Sequence, residues 1–157
     1  MGHSQNSSPR WKQLSFGFLV LHSRLLKEGS KLAHFVLEYS DNLSQDDLSI
    51  QTLFESLHKA AVDSGIFPLK GVRSRAYCCS QYRMADGNPE HGFVHLEVKL
   101  GAGRSLEDRK KMADIFFDIF CEHFSQQTAQ RGMAISFEMR ELEPVLKFNK
   151  NNVQDFL

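Results

Sequence analysis

A strand–helix–strand pattern occurs twice along the chain, and this repeat constrains the fold more than any other sequence feature. In the first half, AHFVLEY at residues 33–39 alternates side chains as a strand does. Ser44 followed by Asp47 predicts a capping box. Apolar residues then recur at helical spacing, at Ile50, Leu53, Phe54, Leu57 and Ala61. Gly65 and Pro68 end this helix, and GVRSRAYCCSQY again indicates a strand.

The second half repeats this layout. FVHLEVKL at residues 93–100 alternates as a strand, and Ser105 with Asp108 predicts another helix cap. The apolar stripe of the second helix, which stops near Gly132, is formed by Met112, Ile115, Phe116, Ile119 and Phe120. AISFEMRE at residues 134–141 has the period of a strand. The pattern of the C-terminal tail is ambiguous, and a short strand there is one interpretation.

The repeated pattern predicts an α+β fold made of two βαβ units. Their strands form one four-stranded sheet, and two helices cover only one of its faces. Apolar positions on the other face cannot stay in contact with water without cost. We therefore expect the chain to form an oligomer.

Composition limits the classes of function. The chain has 157 residues, one domain's worth, and its formal net charge is zero. This balance argues against a general nucleic-acid binder, which needs clustered cationic charge. The odd set Cys78, Cys79 and Cys121 makes a poor disulfide framework and favours a reducing, cytoplasmic compartment. No apolar run approaches the roughly 18 residues of a membrane-spanning helix.

Residues 1–31 differ in composition from the rest, so we treat them as an N-terminal extension before a domain at residues 32–157. The segment has no acidic residue before Glu28, and a signal or transit peptide is one interpretation. The second is upstream sequence read in frame. Codons for residues 27–29 can contain a ribosome-binding sequence, and Leu32 can be encoded by an alternative start codon. Methionine removal would then expose Ala33 as the first residue.

Three arginines are candidate ligands for anions. Arg73 and Arg75 lie two residues apart on a strand and so share a face, and Arg104 lies in a turn before a helix. Together they suit a small substrate with several carboxylates. From spacing alone, surface arginines paired with acidic side chains are the more common outcome.

Other motifs carry weaker signals. GAGRSL lacks the glycine and lysine pattern of nucleotide-binding loops. His91 and His95 share strand parity but have no evident third ligand, so we predict no metal site. Neighbouring Cys78 and Cys79 are more often inert than nucleophilic.

Five segments are similar to one family: AHFVLEYSDNL, GIFPLKGVRSRAY, YRMADG, FVHLEVKLGAGRSLEDRK and ISFEMRELEPVLKFNKNNV. They resemble the 5-carboxymethyl-2-hydroxymuconate delta-isomerases of the tautomerase superfamily, from about Leu32 to the C-terminus. The resemblance implies a homotrimer with inward-facing sheets. It also implies a 1,3-proton shift, without metal or cofactor, that converts a small carboxylated dienol into its enone in homoprotocatechuate breakdown.

The family uses an N-terminal proline as its catalytic base, and Ala33 takes that place here. The family's anion-binding arginines fall on Arg73 and Arg104, and Arg75 lies in the same motif. Because Ala33 replaces proline, a catalytically impaired carboxylate-binding trimer is the alternative, and a structural trimer without a ligand is a third. Neither nucleic acid nor membrane is an expected partner.

Overall fold

The computed structural model describes residues 32–43 and 48–157, which form a four-stranded sheet with helices packed against it. Its strands are β1 (Ala33–Ser40), β2 (Val72–Cys79), β3 (Gly92–Gly101) and β4 (Met133–Leu142). The helices of the described residues are α1 (Ile50–Asp63), α2 (Leu106–His123) and the short α3 (Ser125–Gln130). The residues predicted as an N-terminal extension, 1–31, lie outside this description.

The strand order is β2-β1-β3-β4. β1 pairs with β2 in parallel and β3 pairs with β4 in parallel, while β1 and β3 pair antiparallel at the centre. Each parallel pair is joined through a helix, because parallel neighbours need a crossover connection. The two predicted βαβ units and their single sheet are confirmed.

Both long helices cover the same face of the sheet, as predicted. Phe116 of α2 lies at the centre of this core, with its ring 5.0 Å from that of Phe35 and 6.2 Å from that of Phe67. The first contact is edge to face, an arrangement that aromatic rings prefer. From α1, the predicted apolar positions Leu53, Phe54, Leu57 and Ala61 are buried in the same core.

The helix termini match the predictions in part. Ser105 caps α2, since its side chain accepts a hydrogen bond of 3.0 Å from the Asp108 N–H. The capping box predicted at Ser44 and Asp47 lies outside the described residues. The second helix does not run unbroken to Gly132, because Phe124 leaves helical geometry and buries its ring against Phe120.

The second face of the sheet corrects one step of the reasoning that predicted an oligomer. Val36 and Phe93 are apolar there, but most side chains on that face are polar or charged: His34, Glu38, Arg73, Arg75, Tyr77, His95, Glu97, Lys99, Ser136, Glu138 and Arg140. The predicted need to cover apolar positions therefore applies to few residues of this face, and the expectation of an oligomer is not tested by it. His34, Glu38, His95, Glu97 and Lys99 already alternate with the core positions in the sequence, so the argument gave too much weight to the few apolar residues of this face.

The C-terminal tail, residues 143–157, carries most of the exposed large apolar side chains of the described residues. Its exposed apolar side chains are Val145, Leu146, Phe148, Val153, Phe156 and Leu157. The tail forms a short 3₁₀ turn at Val153–Phe156 and no strand, so the open prediction of a strand there is not met. Across the described residues, the helices are too short or too polar to span a bilayer.

The core predicts a large difference between two neighbouring phenylalanines. Phe116→Ala should lower the free energy of unfolding by about 3–5 kcal/mol, because the Phe116 ring is fully buried and leaves a cavity. Phe117→Ala is the matched control: Phe117 is 40% exposed and should cost no more than about half as much. Urea unfolding at one protein concentration measures both, and equal losses would contradict this account of the core.

Candidate active site

The strand register places Ala33 at one end of the sheet, between two other strands. Ala33 lies opposite Val72, the first residue of β2, and opposite Leu100 near the end of β3. Just before it, the Leu32 carbonyl accepts a hydrogen bond of 3.0 Å from the Gly101 N–H. The Ala33 nitrogen therefore lies where β1 and β2 begin and β3 ends.

Arg73 follows Val72 and lies beside this point on the second face. It is paired in register with His34. Its Nη2 donates a hydrogen bond of 3.3 Å to Oδ1 of Asn149 in the tail. Within the described residues Arg73 forms no salt bridge, so the interpretation of a surface arginine paired with an acid does not hold for it.

Arg75 shares the face of Arg73, as the strand period predicted, but lies further along β2. It pairs in register with Val36 rather than with the beginning of β1. Its Nε donates to the Tyr77 hydroxyl at 3.0 Å, and its guanidinium lies 5.9 Å from the Tyr77 ring centroid. The structure thus brings Arg73 closer along the strand to Ala33 than Arg75.

Arg104 reaches the same end of the sheet from the opposite side. Its Nη1 donates a hydrogen bond of 2.7 Å to the Gly101 carbonyl, so it lies next to the residue that holds Leu32. Its guanidinium stacks 4.4 Å from the ring centroid of Phe67, a buried core residue that spacing arguments did not single out. Burial lowers the pKa of Arg104, and the nearby Glu141 carboxylate opposes this effect.

Glu141 at the end of β4 also fixes the turn that carries Arg104. Its Oε1 accepts a hydrogen bond of 3.1 Å from the N–H of Gly103, and its Oε2 lies 3.5 Å from Nη1 of Arg109. Gly103 has φ +106°, a conformation that suits glycine. The GAGRS turn is therefore anchored on both sides before α2 begins.

His34, which sequence reasoning placed on the second face without a role, lies among cations. Its neighbours in register are Arg73 on β2 and Lys99 on β3. Its Nε2 is buried and has no hydrogen-bond partner within the described residues. Burial lowers the pKa of His34, and Arg73, Arg75, Lys147 and Lys99 lower it further, so the ring is neutral near pH 7.

The remaining candidates lie apart from Ala33. His91 lies 3.4 Å from an Asp86 oxygen, and Nδ1 of His95 shares a hydrogen bond of 2.8 Å with the hydroxyl of Ser136. Among the residues described, no three histidine, cysteine, aspartate or glutamate side chains gather as metal ligands. Burial raises the pKa of the Cys79 thiol, which disfavours its nucleophilic thiolate.

Comparisons with known proteins agree on one family. The sequence profile of the 5-carboxymethyl-2-hydroxymuconate isomerase family matches residues 33–157. The 5-carboxymethyl-2-hydroxymuconate Delta-isomerase of Escherichia coli is 39% identical over 122 residues, which are 78% of this chain and 96% of that protein.

Solved structures show the same likeness. A crystal structure of a 5-carboxymethyl-2-hydroxymuconate isomerase from Deinococcus radiodurans R1 is 37% identical with a TM-score of 0.76, covering 81% of this chain and 95% of that one. A crystal structure of a 5-carboxymethyl-2-hydroxymuconate delta-isomerase has a TM-score of 0.74 at 23% identity, covering 83% of this chain and 95% of that one. The second comparison supports the fold alone.

The environment of His34 predicts how stability depends on pH. As the pH falls below about 6.5, the unfolded chain binds a proton at His34 before the folded chain does. The stability that His34 contributes is therefore present above this pH and is lost as the pH falls towards the lowered, folded pKa. Substituting His34→Gln should make the free energy of unfolding fall less steeply between about pH 7 and pH 5.

Urea unfolding across this pH range measures the slope. His95→Gln, on the same face, controls for the loss of an imidazole as such. Some slope should remain in His34→Gln, because burial also lowers the pKa of His58. A slope identical to that of the parent protein would show that His34 does not lie in the cationic, buried setting described.

Proposed function

Since the chain belongs to the 5-carboxymethyl-2-hydroxymuconate isomerase family and is an isomerase, we propose that it catalyses a 1,3-proton shift on a carboxylated 2-hydroxymuconate. The reaction converts a dienol into its enone isomer and serves homoprotocatechuate degradation. In this proposal the reacting groups are an amine at Ala33 and the side chains of nearby arginines. The three free cysteines fit a cytoplasmic setting.

One observation carries the proposal: the beginning of β1 lies near two cationic side chains, Arg73 on β2 and Arg104 in the turn after β3. Arg73 directly follows the residue opposite Ala33, and Arg104 hydrogen bonds to the residue that pairs with Leu32. A base at the Ala33 nitrogen would therefore meet a ligand whose carboxylates are held from both sides. This arrangement supports proton transfer between positions of one small, acidic molecule.

The Ala33 nitrogen acts as the base only when it is a free amine. In the chain as written, Leu32 acylates it, and an amide nitrogen is not a base. We propose that the active protein begins at Ala33. A free α-amine has a reference pKa of about 7.7–8.0. Burial of Ala33 and the nearby arginines would both disfavour its ammonium form and lower that value, leaving neutral amine near pH 7.

Each group then has one role in the reaction. The neutral Ala33 amine removes the proton of the substrate's 2-hydroxyl group and, as an ammonium, returns a proton to a carbon of the dienol, while the C=O bond forms and the C=C bonds shift. Arg73 and Arg104 bind carboxylates and stabilise the negative charge that develops on the dienolate. Arg75, further along β2, assists by adding positive charge to the second face.

The alternative is a carboxylate-binding protein of the same fold that has lost catalysis. Alanine carries a primary amine where the family uses the secondary amine of proline, and the missing ring changes both the position and the basicity of the nitrogen. The arginine arrangement is the same in both cases, so ligand binding does not separate them. Turnover of the substrate does.

We also propose that the protein works as a homotrimer. The apolar side chains of the tail support assembly, because Leu146 and Phe148 are 76% and 90% exposed in the single chain. A neighbouring copy would cover them. The polar second face would then line the interior of the assembly, next to the proposed sites.

The proposal predicts that activity depends on exposing Ala33. Protein beginning at Ala33 should isomerise the muconate substrate, while the full chain should be slower by about 10²–10⁴-fold, because it lacks the free amine. Ultraviolet absorbance of the dienol measures the rate. Equal activity of the two proteins would show that the nitrogen is not the base.

Substitutions in the protein beginning at Ala33 sharpen this test. Ala33→Pro should raise the rate, whereas Arg73→Ala and Arg104→Ala should weaken binding of the carboxylated substrate by about 1.5–3 kcal/mol each, as expected for charged hydrogen bonds. Tight carboxylate binding without turnover, unchanged by Ala33→Pro, would favour the binding protein instead. Unchanged affinity in both arginine variants would favour the structural trimer.

A further inference from the structure

His34, the residue that follows Ala33, carries a buried polar atom whose hydrogen bonding the fold leaves open. Its Nε2 is buried and has no hydrogen-bond partner within the described residues. By contrast, Nε2 of His58 on α1 lies 2.7 Å from the hydroxyl of Ser74. A buried nitrogen without a partner costs free energy, so it calls for a specific explanation. An unused hydrogen-bonding atom therefore lies next to the proposed base.

The two neighbours of His34 in register are cations rather than acids. Arg73 lies opposite it on β2, and Lys99 lies opposite it on β3. Lys99 is ion-paired at 2.8 Å with Glu97, whereas Arg73 donates a hydrogen bond to the neutral side chain of Asn149. Burial lowers the pKa of His34 and the surrounding positive charges lower it further, so the ring is neutral near pH 7. A neutral imidazole still has one N–H group to donate.

A ligand carboxylate bound by Arg73 would bring a neighbouring ligand oxygen within reach of His34. Paired strands lie about 4.8 Å apart, so residues in register on one face are direct neighbours. In a 2-hydroxymuconate, the carbon that bears the hydroxyl is bonded to a carboxylate carbon, about 1.5 Å away. The carboxylate and the 2-oxygen can therefore contact these two adjacent side chains at the same time.

The 2-oxygen is the atom on which negative charge develops in the proposed reaction. Its O–H bond breaks as the amine at Ala33 takes the proton, and the oxygen carries the charge of the dienolate until the C=O bond forms. A hydrogen bond donated to this oxygen is stronger in the transition state than in the bound substrate, which is the condition for a faster reaction. A neutral imidazole can donate that bond without giving up its own proton.

We propose that the Nε2–H group of His34 donates a hydrogen bond to the 2-oxygen of the substrate, which makes His34 a catalytic residue beside Ala33. This inference rests on the proposed function, since it concerns the same reaction. His34 keeps its proton throughout: the proton of the 2-hydroxyl goes to the Ala33 amine, and a proton returns from that amine to carbon. Arg73 holds the adjacent carboxylate and so directs the 2-oxygen towards His34.

Two ligands that differ in one oxygen test this hydrogen bond without turnover. In 2-oxoadipate the carbon next to one carboxylate bears an oxygen, and adipate is the same dicarboxylate without it. His34→Phe removes the donor, and His34→Gln keeps one. His95→Phe is the matched control, because His95 lies on the same face and shares its hydrogen bond with Ser136. Isothermal titration calorimetry on the full chain measures both affinities, so the result does not depend on a free amine.

We expect the parent protein to bind 2-oxoadipate about fivefold more tightly than adipate, as one added hydrogen bond allows. His34→Phe should bind the two ligands equally within about twofold, His34→Gln should keep part of the preference, and His95→Phe should keep all of it. A parent protein without the preference would overturn the inference. So would a preference that survives in His34→Phe, or one that His95→Phe loses to the same extent.

The rate of isomerisation gives a second measurement, in protein beginning at Ala33. His34→Phe should lower kcat by about 10²-fold with a much smaller change in KM, because the hydrogen bond strengthens in the transition state. His34→Gln should recover part of the loss. An unchanged kcat in His34→Phe would contradict a catalytic role.

The two measurements separate this inference from the proposed function. If protein beginning at Ala33 has no isomerase activity but His34→Phe still loses the preference for 2-oxoadipate, the hydrogen bond stands and the proposed function fails. If the isomerase is active and His34→Phe retains both the kcat and the ligand preference of the parent, the inference about His34 alone fails.

Discussion

The pairing of β1 with two neighbours of opposite direction is the constraint on which the site depends. Because β2 runs parallel to β1 and β3 runs antiparallel, the beginnings of β1 and β2 meet the end of β3. Ala33 thus lies level with Val72 and Leu100. A slip of one residue between β1 and β2 would turn Arg73 from the second face into the apolar core, so the buried strand faces hold the arginine in place.

The same register sets the electrostatics of the second face. Arg73, His34, Lys99 and Arg140 form one row across the four strands. Glu97, one row along, is nearly buried and contacts both Lys99 and Arg140, so those two cations are balanced within the sheet. No carboxylate of residues 32–43 or 48–157 forms a salt bridge with Arg73, and a row that is neutralised at one end and cationic at the other favours an anion beside Ala33.

Periodicity predicted those elements whose faces differ sharply. The alternation through Leu96 and Val98 located β3, and the cap at Ser105 located the beginning of α2. It also placed Arg73 and Arg75 on one face. What it could not predict was contact between distant segments that lack a period. Asn149 of the tail accepts a hydrogen bond from Arg73, which lies 76 positions earlier in the sequence. Nor does any local pattern in the sequence predict that the Lys147 side chain is partly buried. The candidate role of Ala33 came from the family resemblance, because the alternation of side chains along a strand says nothing about the chemistry of its first backbone nitrogen.

The central claim is that an amine at Ala33 would lie in a buried, cationic setting that keeps it neutral. The most direct measurement is the titration of that amine by nuclear magnetic resonance, in protein that begins at Ala33 and carries isotope-labelled alanine. The account predicts a pKa below the reference range of about 7.7–8.0, rising when Arg73 is replaced by alanine. A pKa at or above that range, unchanged by the loss of Arg73, would contradict it.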